Sequence, residues 1–272
     1  MLSDATPIVL TAGRLDPTGE TGLGLDGAFL SRLGVRTAPV AAVIAVDRAL
    51  GPRPGRAVDA GTFSDQLAAA VEALRGAVRV VHAGILAGEP QAEALAGAAR
   101  ELGMPLVADL AWRGPGALGA LEAAALVVAS AADAARVTGR PYDGSRDALL
   151  ELARGLAGPA RVAVVVGSAG GGAEPGAGTA TGTPAALAGP AGESIVDSVA
   201  TAHGESRGAS GARSIAAAGY LALGLPPADA AAAAHRFVAS ALAAAAALPG
   251  RPAAPEPWRV CPGPAGPVGP AG

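Results

Sequence analysis

Residues His203 to Gly224, HGESRGASGARSIAAAGYLALG, set a turn of Gly and Ser directly in front of an alanine-rich helix. A helix start leaves backbone N–H groups without internal partners, and the macrodipole adds partial positive charge there. A small-residue turn at that point lets a phosphate approach closely. Gly208, Ala209, Ser210 and Gly211 are therefore candidate anion-binding residues, with Arg207 and Arg213 beside them as guanidinium donors. The plainer alternatives are that Gly208 and Gly211 only open a surface helix, and that Arg213 is a solvated residue of its first turn.

Other polar residues fall where apolar runs stop. Asp16, Pro17, Thr18, Gly19 and Gly22 form a glycine loop after the apolar run Pro7 to Ala12. His82 ends the run Val78 to Val81, Asp109 follows Leu106 to Ala108, and Ser130 and Asp133 follow Leu126 to Ala129. His82 reads as a proton carrier or phosphate donor, or as a half-buried hydrogen-bonded histidine. Asp109 reads as a site carboxylate or as a strand-end cap. No HxxxH pair or cysteine pair points to a metal set, and the one cysteine, Cys261, lies near the C-terminus.

The elements that must position these groups alternate. Helical spacing marks Leu23 to Leu33, Phe63 to Leu74 with Ser64 as its cap, Glu89 to Leu102, Ala131 to Val137 and Ser145 to Leu156. Between them lie short Val-rich runs, including Ala38 to Val46 and Val162 to Val166. Near-continuous apolar strands alternating with helices imply a mostly parallel sheet covered on both faces, with its site at the carboxyl ends of the strands. The Pro/Gly-rich stretch Arg48 to Gly61 shows no periodicity. Gly167 to Gly192 reads as a mobile loop or weak hairpin. Residues 1–248 are expected to form one α/β domain, and the Pro/Gly-rich tail 249–272 to be disordered.

Composition narrows the partners. The chain has 272 residues, a net charge of −3, 51% hydrophobic residues and only 3% aromatics, so Ala, Val and Leu must fill the core. Lys and Asn are absent, so every basic residue apart from histidine is Arg. Arg is scattered among Asp and Glu, leaving no basic face for nucleic acid. The alanine-rich helix near 228–248 carries Asp229, His235 and Arg236 and reads as packed rather than membrane-spanning. A cytoplasmic protein is expected.

In order and spacing, these motifs resemble the hydroxymethylpyrimidine and phosphomethylpyrimidine kinases of thiamin synthesis, in the ribokinase superfamily. GRLDPTGETG, followed by SRLGV at Ser31 to Val35, is similar to the family's GSDPSGGAG loop and ALGV, in register from Asp16. HAGIL at His82 to Leu86 is similar to KIGML, ADLAW to a DPV strand end that keeps Asp109, and GYLALG at Gly219 to Gly224 to AYLALG. The resemblance implies a ribokinase-like sheet with helices on both faces, and a small pyrimidine-like substrate under the first glycine loop. It further implies ATP with Mg²⁺ across the far strand ends, Asp109 holding Mg²⁺ through water, and a homodimer.

Four departures bear on the chemistry. The family's GTGC anion hole aligns without gaps onto Gly208 to Gly211, so Gly211 stands where a Cys or Asp would take the proton. Anchoring instead on His203-Gly204 puts Arg207 there. The NxxE that organises water and Mg²⁺ becomes Ser130 and Asp133, both shorter. One phosphate-side lysine becomes His82, and another falls near Val166. The ring-reading Gln or Glu becomes Asp47, with Thr21, Ile85 and Ala111 at the other pocket walls. Two functions follow: a kinase for a hydroxymethyl heterocycle, or a non-kinase that keeps the fold and binds a heterocycle or phosphate ester.

Overall fold

The computed structural model describes residues 6–46, 55–110, 122–167, 183–198, 208–245, 256–257 and 260. Strand β1 (Ile8–Leu15) is buried along its first six residues, as expected of a strand covered on both faces. It is followed by α1 (Gly22–Arg32), β2 (Arg36–Ile44), β3 (Arg56–Ala57), α2 (Ala60–Leu74), β4 (Val78–Ala83) and α3 (Glu89–Leu102). Then come β5 (Leu106–Asp109), β6 (Leu126–Ser130), α4 (Ala131–Thr138), α5 (Arg146–Leu156) and β7 (Val162–Val166). The hairpin β8 (Ala185–Gly189) and β9 (Gly192–Val196) precedes the last two helices, α6 (Ala209–Ala222) and α7 (Pro227–Ala243).

The strands form one sheet in the order β3-β2-β1-β4-β5-β6-β7-β8-β9. All pairings from β2 through β7 are parallel, and β3, β8 and β9 join antiparallel at the edges. Chain order reverses beside β1, whose neighbours are β2 and β4. This is the switch point at which open α/β sheets leave a crevice beyond the carboxyl ends of their strands.

Alternate strand residues feed two cores. Ile8, Leu10 and Ala12 belong to the one under α2, α3, α4 and α5, with Phe63, Leu95 and Leu149. Val9 belongs to the other, under α1, α6 and α7, with Phe29, Ile215 and Phe237. Phe29 meets Phe237 edge to face at 5.3 Å. Helix α6 lies across β4, β5, β6 and β1 and packs on both α1 and α7. Eight alanine and glycine residues within its fourteen let it approach so closely; a Cβ on Gly219 would meet Leu33 Cδ1 at 2.6 Å and push that side chain aside.

Three local features that the sequence left open or placed otherwise have physical causes. Helix α2 starts at Ala60 rather than Phe63, because Asp59 rather than Ser64 caps it by accepting a bond from the Thr62 N–H at 2.9 Å. Within Gly167 to Gly192, residues 185–189 are a strand, buried up to Ala188, that pairs with β7. Pairing and burial override the poor strand propensity of AALAG. In the terminal stretch, the Glu256 N–H donates to the Ala241 carbonyl at 3.3 Å, and Arg32 Nη2 donates to the Val260 carbonyl at 2.5 Å. Val260 thereby packs on the second core.

Candidate functional site

The first glycine turn is organised by one buried carboxylate. Asp16 Oδ1 accepts from the Thr18 N–H at 2.9 Å and from Thr18 Oγ1 at 2.8 Å, and Asp16 Oδ2 accepts from Thr21 Oγ1 at 2.5 Å. Such Asx-type bonds fold a loop locally. Thr21 is the N-cap residue of α1, but its hydroxyl serves Asp16 rather than the helix amides. Gly22 has φ +59°, and a Cβ there would lie 2.0 Å from the Arg14 carbonyl oxygen, so only glycine fits.

The second turn opens α6. Gly208, at φ +81°, is its N-cap, and residues 208–211 are half-buried. A Cβ on Gly208 would meet the Glu20 carbonyl oxygen at 2.8 Å and Thr21 Cγ2 at 3.3 Å. The two glycine turns, almost 190 residues apart in sequence, therefore lie against each other. Beneath α6, Ser210 Oγ donates to Asp109 Oδ1 at 3.0 Å. Asp109 Oδ2 stands 3.5 Å from the point a Cβ of Gly211 would occupy. A carboxylate from the end of β5 is thus held at the first turn of α6, facing a residue with no side chain. Ile85, just past β4, packs on the first core beside this crevice, with its N–H 3.8 Å from the Cβ position of Gly13.

The remaining expected residues are placed differently. Ser130 caps α4: its Oγ accepts from the Asp133 N–H at 3.1 Å and donates to Asp133 Oδ2 at 2.7 Å, while Asp133 also pairs with Arg136 at 2.9 Å. The pair closes on itself at the N-cap of the helix. Arg213 follows Gly211 by two residues, about 200° around the helix. It is only 8% exposed, its Nε has no partner, and burial lowers its pKa to about 10. Burial, and after it the charge of Arg213, lowers the pKa of His235 on α7 to about 4. Asp47, Ala111, His203 and Arg207 lie outside the described residues.

His82 is 1% exposed, and burial lowers its pKa to about 3. It is neutral at physiological pH and brings no fixed charge to a phosphate. Its Nδ1 lies 2.8 Å from Thr11 Oγ1 and its Nε2 2.9 Å from Ser214 Oγ. Thr11 Oγ1 in turn lies 3.3 Å from Asp26 Oδ2. Sequence reasoning passed over Thr11, Asp26 and Ser214. A usable signal exists for each, since Asp26 shares a helix face with Leu23 and Leu30, Thr11 interrupts an apolar run, and Ser214 borders one.

No family profile matches the sequence, and no curated protein matches it. Solved structures do match the fold. A Bacillus subtilis pyridoxal kinase in an ADP complex superposes with a TM-score of 0.79 at 19% identity, covering 94% of this chain and 99% of that one. A Staphylococcus aureus pyridoxal kinase in complex with AMP-PCP and pyridoxal gives 0.80 at 17% identity, covering 93% of each chain. A phosphomethylpyrimidine kinase from Clostridium difficile gives 0.65 at 18% identity, covering 84% and 97%. The fold is therefore ribokinase-like: a mostly parallel sheet flanked by helices, shared along nearly the whole chain with kinases of small heterocycles.

Proposed function

We propose that this protein is a small-molecule kinase of the ribokinase type. Its substrate is a hydroxymethyl heterocycle, phosphorylated from ATP at a rate limited by the missing proton acceptor at residue 211. The main support is the contact between the two glycine turns, which sets the half-buried start of α6, with its unpaired amides, beside Asp109 and the loop organised by Asp16. The pyridoxal and pyrimidine kinases of the same fold give the substrate class.

Among the described residues no three His, Cys, Asp or Glu side chains gather as a metal cage. Mg²⁺ needs no cage when it arrives with a nucleotide, because one or two protein carboxylates and the phosphates complete its shell. Asp109 fits that demand, through water. Mg-ATP would supply the phosphoryl group and neutralise its charge. The amides of residues 209–211 would hold the anion, Arg207 adding charge beside them. The loop at Thr21 and Ile85, with Asp47 and Ala111, would hold the ring. A homodimer in the cytoplasm, without nucleic-acid or membrane partners, completes the reading; among the described residues no helix is long and apolar enough to cross a membrane.

Loss of a general base typically costs about two to four orders of magnitude in rate. Calorimetry with Mg-ATP, hydroxymethylpyrimidine, its phosphate and pyridoxal, followed by coupled ADP release, tests the proposal. Slow, acceptor-dependent ADP release is expected. Gly211→Cys should raise it at least about tenfold. Cysteine is the milder choice, since its Cβ finds ordinary contact distance to Asp109 whereas an aspartate adds a second negative charge there. Absence of both nucleotide binding and ADP release would overturn the kinase reading.

A second reading, a binding protein without turnover, is favoured by the Ser130–Asp133 pair closing on itself and by the neutrality of His82. It predicts tight binding of a heterocycle phosphate, no ADP release, and no gain from Gly211→Cys.

A further inference from the structure

Asp26 on α1, Thr11 on β1, His82 on β4 and Ser214 on α6 form one buried chain of polar contacts. Its links are 3.3 Å, 2.8 Å and 2.9 Å, and Ser214 Oγ continues to the Gly211 carbonyl at 2.9 Å. None of the four side chains is more than 4% exposed. Each hydroxyl carries one hydrogen and a neutral imidazole carries one, so the chain has only two self-consistent directions.

In the first direction Asp26 is ionised. Thr11 donates to its carboxylate, His82 Nδ1–H donates to Thr11, and Ser214 donates to His82 Nε2, leaving the Gly211 carbonyl without the Ser214 hydroxyl. In the second direction the Asp26 carboxyl O–H donates to Thr11 and Thr11 donates to His82 Nδ1. His82 Nε2–H then donates to Ser214, and Ser214 donates to the Gly211 carbonyl. The second makes one more hydrogen bond and leaves no charge inside the core. Among the described residues Asp26 takes part in no ion pair, and an unpaired buried carboxylate is costly.

We infer that Asp26 is a neutral carboxylic acid whose O–H sets the direction of this chain, fixing His82 as the Nε2–H tautomer and seating Ser214 on the carbonyl of Gly211. Burial raises the Asp26 pKa well above the ordinary carboxylate value. The Thr11 hydrogen bond opposes that shift and the like charge of Asp109 adds to it. Asp26 is thereby a positioning residue for the first turn of α6, acting through three others. Only this consequence for turnover rests on the kinase reading; the direction of the chain does not.

The test uses long-range ¹H–¹⁵N spectra of the full chain at neutral pH, which has three histidines, with His82→Gln to assign the signal of residue 82. Wild type should show His82 as Nε2–H, and an infrared difference spectrum against Asp26→Asn should contain the C=O stretch of a buried carboxylic acid. Asp26→Asn should keep the Nε2–H tautomer, because its carboxamide N–H donates to Thr11 as the acid does. Thr11→Val should shift the Nδ1 resonance toward that of an unbonded nitrogen, and should lower kcat about tenfold with the acceptor KM unchanged. An Nδ1–H tautomer in wild type, or no carboxylic acid band, would overturn the inference. Both are read on the wild-type protein, whatever the variants do.

Discussion

The two glycine turns of the site are built in opposite ways. The turn at residues 16–24 is tied locally: Asp16 holds Thr18 and Thr21 within five residues, and Gly22 answers to the carbonyl of Arg14. The turn at residues 208–211 is held from afar. Glu20 shapes Gly208, Asp109 holds Ser210, and His82 reaches Ser214 from 132 residues away. A locally tied loop keeps its shape while the rest of the protein breathes. A loop tied to β4, β5 and the first turn keeps its shape only as long as the sheet and α6 stay in register, so damage should separate the two.

Gly22→Ala breaks the local turn most directly. It forces a Cβ to 2.0 Å from a backbone oxygen at a left-handed φ, and should cost more than about 3 kcal/mol in urea unfolding. Acid should attack the second turn instead. The folded-state pKa of His82, about 3, is below its unfolded value of about 6.5, so the unfolded state takes up the proton first. The stability held by neutral His82 is therefore intact above pH 6.5 and lost progressively toward pH 3, on the order of 3 kcal/mol by pH 4. His235, lowered to about 4 chiefly by burial, adds loss in the same window. Hydrogen exchange between pH 7 and pH 4 should show amides of α6 opening before those of residues 16–24; the reverse order would remove the contrast. Ser210→Ala is the mildest change. It deletes one bond to Asp109 and should cost about 1 kcal/mol while weakening anion binding, with residues 16–24 unaffected in the same exchange measurement.

Much of this was legible in the sequence because periodicity survives without tertiary information. The apolar runs at Ile8, Ala38, Val78, Leu106, Leu126 and Val162 are the parallel strands, and the glycine loop, Asp109 and the α6 start do sit at their carboxyl ends. The hairpin of β8 and β9 was legible only as an alternative to a mobile loop, since AALAG becomes a strand by pairing with β7. The cap of α2 was not legible, since Asp59 and Ser64 compete and backbone geometry chooses Asp59. Ser130 and Asp133 carry the spacing of a site motif and of a helix N-cap pair alike. Which of these they form depends on rotamers that no spacing encodes.

By itself the sequence determined the layered α/β plan, the local Asp16 turn and the absence of a proton-accepting side chain at residue 211. These depend on residue type and near neighbours alone. Only the tertiary structure decided that the two glycine turns touch, that Arg213 is buried, and that His82 is a neutral link between Thr11 and Ser214. The physical reason is desolvation. Whether a histidine or an aspartate carries charge depends on how much water folding removes from it, and residues far apart in the chain set that amount.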